Sequence, residues 1–133
     1  MIRDSRARAV ITQDWAGVEK LSKADDGYFY LDVFVSGTRL DESYNLPFLL
    51  AYSVLDQVLT ELRQQGEFQC TSWFLGAKMS ASRDHLPWKD YDLADSGREA
   101  RNLLAHEAVL LSKADCLKYI DAVRAELKAW AVI

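Results

Sequence analysis

Leu50, Val54, Val58 and Leu62 recur at intervals of four, with Leu55 and Leu59 beside them. That spacing puts all six on one side of an α-helix. Asn45-Leu46-Pro47 reads as its start, because proline in a first turn forfeits no hydrogen bond. Gly66 reads as its stop. A second long helix is expected from about Leu93 to Leu111. A third follows Ser112, where Ser112 and Asp115 resemble a capping box with Asp in place of the usual Glu. Leu117, Ile120, Val123, Leu127 and Trp130 supply its apolar face. The short link between these two helices implies antiparallel neighbours. Residues 68–81 fit a short helix holding Trp73 and Phe74, and residues 83–92 read as a loop.

The segment 12–40 is ambiguous. Leu21, Ala24, Tyr28, Leu31 and Val35 keep helical spacing. Against this, Tyr28 to Val35 is rich in strand formers and bracketed by Gly27 and Gly37. Over residues 27–36 the longer periodicity favours helix, since a lone strand needs partners and no other good strand is visible. The expected fold is therefore all-α, a four- to five-helix up-and-down bundle. Residues 1–133 form one domain, with 1–11 free to be flexible.

Composition narrows the picture. The length of 133 residues suits one domain, and half the residues are hydrophobic, which excludes a disordered chain. A net charge of −4 argues against a broad electrostatic nucleic-acid surface, so any RNA must meet a local site. Cys70 and Cys116 have no metal-type spacing and read as reduced thiols. The N-terminus has positive charge but no apolar segment behind it, unlike a signal peptide. No apolar run reaches the roughly 18–20 residues of a membrane span. A cytoplasmic protein with no membrane partner is expected.

The chemistry concentrates in the helix from 93 to 111. At about 100° per residue, Arg98, Asn102 and His106 fall along one stripe, with Arg101 beside Arg98. Ala100, Leu103, Leu104, Leu110 and Leu111 lie opposite and are expected to pack the core. Histidine can move a proton near neutral pH. Arginine offers a fork of donors matched to phosphate oxygens, and asparagine can orient either one. Such a set suits attack on a phosphodiester, and RNA carries its own nucleophile in the 2′-hydroxyl, so no metal is required. An Arg-rich polar face on an amphipathic helix is, however, most often simply solvated. Ala105 on this face leaves room for another helix to approach.

At Arg101-Asn102-Leu-Leu-Ala-His106 the chain resembles the HEPN family, whose signature is an Arg, a polar residue and then a His a few residues on. Leu86-Pro87-Trp88-Lys89-Asp90-Tyr91 and Arg98-Glu99 are similar to segments upstream of that motif in some members. The resemblance covers roughly 46–131 by helix order and 83–107 by motif. It implies a metal-independent endoribonuclease acting without cofactors, with a composite active site at a homodimer interface. Arg101 and His106 would be catalytic and Asn102 would orient the His. It also implies a toxin or defence setting. In the toxin branch whose antitoxin modifies a Tyr two places after the His, that place here is Ala108, so a cognate antitoxin of the Tyr-modifying type is not expected. The alternative is a non-catalytic HEPN-like bundle binding RNA, a nucleotide or a protein partner.

Other residues carry less. Arg98, His85, Arg83 and Lys89 are candidate substrate-binding groups, although a loop histidine such as His85 more often makes one local hydrogen bond. Trp88 and Tyr91 can stack on a base, but pinning the loop to the bundle is the commoner use. Trp15, Trp73 and Trp130 read as core or interface. With two His, no Glu-x-x-His pair and no Cys cluster, no metal site is expected.

Overall fold

The computed structural model describes residues 1–23, 34–35 and 38–133. The described residues form a helical bundle of five helices: α1 (Ser5–Ser22), α2 (Asn45–Gln64), α3 (Leu75–Ser82), α4 (Tyr91–Glu107) and α5 (Lys113–Ala129). A 3-10 turn, Asp41–Tyr44, leads into α2.

α2 is the central helix. Pro47, Phe48, Ala51, Tyr52, Val54, Leu55, Val58, Leu59 and Leu62 are buried around most of its circumference, as expected of a helix covered on several sides. α1 lays Ile11, Trp15, Val18 and Ser22 against it, one turn apart. α5 contributes Cys116, Ile120, Val123 and Leu127, with Trp130 buried just past its end. Cross-helix bonds give the directions. Arg3 N–H donates to Gln65 Oε1 (2.6 Å) and Gln57 Nε2 to Asp14 Oδ2 (3.1 Å), so α1 runs opposite to α2. The Tyr52 hydroxyl donates to the Ala94 carbonyl (2.7 Å), while Asn45 meets Leu111, so α4 also opposes α2.

Local capping explains where three helices begin. Asp4 accepts from the N–H groups of Arg6 (2.8 Å) and Ala7 (3.0 Å). Asp90 accepts from Leu93 N–H (3.1 Å), and Ser112 Oγ from Asp115 N–H (3.1 Å), the latter as the sequence predicts. α2 ends before Gly66, whose φ of 87° is the left-handed conformation that glycine accommodates most easily.

Four expectations change. The first residues are not a loose lead-in: α1 starts at Ser5, and Ile2 is fully buried with its carbonyl held by Arg8 Nη2 (2.7 Å). The helix expected over 27–36 is replaced, at Phe34–Val35, by a strand β1 paired antiparallel with β2 (Thr38–Arg39). The partner strand is the short one that the sequence pattern hid; the rest of 27–36 lies outside the described residues. The short helix starts only at Leu75, leaving Trp73 and Phe74 outside it and exposed. Finally, α4 ends at Glu107 rather than Leu111. Ala108 turns left-handed (φ 53°), its N–H bonding back to the Leu104 carbonyl (3.1 Å). The cause is Asn45, whose Nδ2 donates to the Leu111 carbonyl and whose Oδ1 accepts from Leu111 N–H, both at 3.0 Å. A side chain that takes both backbone groups of Leu111 leaves no helical partner for them.

Candidate functional site

The candidate residues ride on α4, and α4 is seated by very little buried surface. Only Ala94 and Gly97 are fully covered. Gly97 is where the helix touches the core: a Cβ there would stand 1.8 Å from Tyr52 Oη and 2.8 Å from Tyr119 Cδ1. Glycine is required by this close approach, not by its backbone angles. Burial, with the nearby Tyr119 and Asp95, raises the Tyr52 phenol well above its ordinary range, while the Arg101 and Arg98 charges pull the other way. Tyr52 therefore stays a neutral donor, locking the first turns of α4 in place.

The loop before α4 is firmly held. Trp88 packs edge-on against Trp130 (4.7 Å between ring centroids) and Tyr91 (5.1 Å), and its Nε1 donates to Ser82 Oγ (3.1 Å). The buried Glu126 accepts from the N–H groups of Lys89 (2.7 Å) and Asp90 (3.0 Å). Burial pushes the Glu126 carboxyl above its ordinary value. Trp88 thus pins the loop to the bundle, the commoner of its two readings.

The four residues of the Arg98–His106 set do not share one environment. Arg98 is mostly covered; its Nε donates to Asp95 Oδ1 (2.7 Å), and its guanidinium lies 3.1–3.3 Å from where a Cβ on Gly76 would be. The hydrogen bond to Asp95 raises the Arg98 pKa further, so its charge is permanent and largely matched. Arg101 is half-buried, with Nη2 donating to Asn102 Oδ1 (3.3 Å). His106 is exposed in the last turn and makes no hydrogen bond among the described residues. Together with Glu99, Asn102, Leu103 and Glu107 it lines a shallow, open depression. Five residues of helix rotate His106 about 140° from Arg101. Within one chain Arg101 leans toward the Tyr52 side and His106 faces outward, with Asn102 between them.

The remaining candidates sit elsewhere. Arg83 stacks on Tyr91 (4.4 Å) and pairs with Asp92 (3.4 Å). His85 and Lys89 are exposed in the same loop. All three are at the start of α4, roughly 20 Å along the helix from His106 at 1.5 Å per residue.

The core face of α4 differs from expectation. Leu103 and Leu110, expected to pack the core, are 47% and 57% exposed. Val109 is exposed beside them. Ala100, Leu104 and Leu111 are only partly buried, against the edge of the core. The helix is rotated so that Ala94 and Gly97 face inward, because only small residues fit against Tyr52.

Among the described residues, no three His, Cys, Asp or Glu side chains come together as a metal site. Cys70 and Cys116 are free, and burial raises the Cys116 thiol to about 11. No described helix is long and apolar enough to cross a membrane. Compared with known proteins, the chain matches no family model, no curated protein and no solved structure.

Proposed function

We propose that this chain is a HEPN-like, metal-independent endoribonuclease whose active site is completed by a second copy of itself. The observation that supports it most is the setting of His106. The imidazole is exposed and unengaged among the described residues, with the exposed apolar side chains Leu103, Val109 and Leu110 nearby at the end of α4. Arg101, braced by Asn102, is one helical face away. One copy cannot aim both groups at one phosphate, but two copies meeting across this face can contribute a pair of each.

In that site one His106 takes the proton from an RNA 2′-hydroxyl. The 2′-oxygen attacks the adjacent phosphorus while Arg101 stabilises the charge gathering on its oxygens. The bond to the 5′-oxygen breaks, and that oxygen takes a proton from the imidazolium of the second copy. The products are a 2′,3′-cyclic phosphate and a 5′-hydroxyl. A toxin or defence role in the cytoplasm belongs to the same proposal.

The test is cleavage of mixed cellular RNA in EDTA by wild type, His106→Ala and Arg101→Ala, with circular dichroism to verify folding. His106→Ala should slow cleavage by about 10²- to 10⁴-fold, the usual worth of a general acid–base. If folded, self-associating wild type cuts no RNA, the enzyme reading falls. The non-catalytic binding bundle, favoured by the net charge of −4, then replaces it.

A further inference from the structure

Trp73 and Phe74 are the two most exposed large apolar side chains among the described residues, at 70% and 81%. They are adjacent in sequence, the Trp73 ring is braced, and the Phe74 backbone is tied down. Arg63, from the last turn of α2, donates through Nη1 to the carbonyls of Cys70 (3.4 Å) and Ser72 (3.3 Å). The same guanidinium lies over the Trp73 ring at 4.2 Å from its centroid. Phe74 N–H donates to Ser72 Oγ (3.2 Å), and Phe74 itself is the cap of α3. One face of the indole is therefore backed by a cation that also ties down its loop.

The loop that carries the pair leads toward the Arg98 end of the α4 stripe. Gly76, two residues past Phe74, is the point where the Arg98 guanidinium meets α3. From Arg98 the stripe continues through Asn102 to His106, about 12 Å along the helix. We infer that Trp73 and Phe74 form a stacking platform for unpaired RNA bases beyond the Arg98 end of the Arg98–Asn102–His106 stripe. The inference rests on the ribonuclease reading for its choice of ligand.

The physical case is that stacking needs no net charge. With a charge of −4 this protein lacks the broad basic field that holds nucleic acid non-specifically. A binder of that kind must draw affinity from local contacts. Aromatic rings supply such contacts to any base, because every base has a π-face. A guanidinium behind the ring adds positive charge where phosphates pass. Bases in a duplex are stacked on one another and cannot use the platform. The substrate class is therefore single-stranded RNA, or an unpaired loop, with a base held roughly 25 Å from the reacting phosphate, since Trp73 lies on Arg63 at one end of α2 and His106 is near Asn45 at the other.

The test measures fluorescence anisotropy of a short, unstructured, labelled oligoadenylate on full-length protein carrying His106→Ala, so that the probe survives. Trp73→Ala and Phe74→Ala should each weaken binding about 5- to 150-fold, the worth of one stacked base. Trp73→Phe should retain most of it. An abasic oligonucleotide should lose affinity for the parent protein but little more on the double variant. The same sequence as a duplex should bind weakly throughout. Both side chains face solvent, so the variants should keep the parent's circular dichroism. Equal binding by the double variant overturns the inference. So does lost self-association with RNA binding unchanged, which makes the pair a protein contact, and so does no oligoadenylate binding by the parent. Cleavage in EDTA separates the two readings. If wild type cuts but binding ignores the platform, only this inference fails. If binding needs the platform and nothing is cut, only the enzyme reading fails.

Discussion

Replacing Gly97 by alanine sets two opposed effects against each other. In an exposed helix the change should stabilise, because alanine is favoured over glycine by about 1 kcal/mol. Here the new methyl would stand 1.8 Å from Tyr52 Oη and 2.6 Å from its Cζ. The Tyr52 ring cannot retreat: it is fully buried, edge-on to Phe48 (5.4 Å), with its hydroxyl bound to the Ala94 carbonyl. Overpacking of this kind costs about 1–3 kcal/mol. Breaking the Tyr52–Ala94 bond strands a buried hydroxyl at a further cost of about 1–3 kcal/mol. Subtracting the propensity gain leaves a net loss of about 3 kcal/mol. For a chain of this length the melting temperature should fall by on the order of 10 °C. Thermal and urea unfolding followed by circular dichroism reads it directly. Adding Tyr52→Phe removes the nearest clashing atom, so the double variant should be more stable than Gly97→Ala alone. A melting temperature at or above wild type for Gly97→Ala would refute the argument, since propensity would then outweigh a contact that does not exist.

The pair Glu19–Arg124 (2.5 Å), which ties α1 to α5, should make stability depend on acid. Burial pushes the Glu19 carboxyl up, but hydrogen bonds and charge from Arg124 and Lys23 outweigh it and hold it at about 2, against an ordinary 4.5. A depressed carboxylate contributes stability that is complete above its unfolded value and is lost as pH falls from about 5 toward 2, up to about 3 kcal/mol. Glu19→Gln should flatten that slope in urea unfolding at stepped pH; an identical slope in both proteins refutes it. Glu126, shifted up by burial, works with the opposite sign in both, so their difference isolates Glu19. The buried Lys78 pairs with Asp56 (2.5 Å) and Thr60 (2.9 Å), and the lysine is 2% exposed while Asp56 is 38% exposed. Asp56→Ala should cost about 3–5 kcal/mol by stranding an ammonium. Lys78→Met should cost less, because the remaining carboxylate can still reach water. Equal losses in denaturant titrations would count against this asymmetry.

Much of the placement of the candidate residues was legible because its determinants are local. The Arg98–Asn102–His106 stripe follows from helical geometry alone, and the structure keeps it on one side of α4. What could not be read was the rotation of that helix. Leu103 looks like a core residue by spacing, yet the inward positions went to Ala94 and Gly97 because Tyr52, more than forty residues earlier, occupies the space a larger side chain would need. The same rotation carries Arg101 toward the Tyr52 side and leaves His106 in solvent. Trp73 looked like a core or interface residue, since large aromatics usually find burial. Its exposure is set by the Arg63 brace and by the late start of α3, and no periodicity registers either.

The sequence by itself determined a helical bundle, the position and extent of α2, and the cap that begins α5, because apolar period and capping act within a few residues. Tertiary structure decided the end of α4, through two bonds from Asn45 to a residue 66 positions away. It also decided the pairing of Phe34–Val35 with Thr38–Arg39, two strands too short to be recognised singly. Hydrogen bonds and close contacts between distant segments compete with local preference on equal energetic terms, and a linear pattern records only one of the competitors.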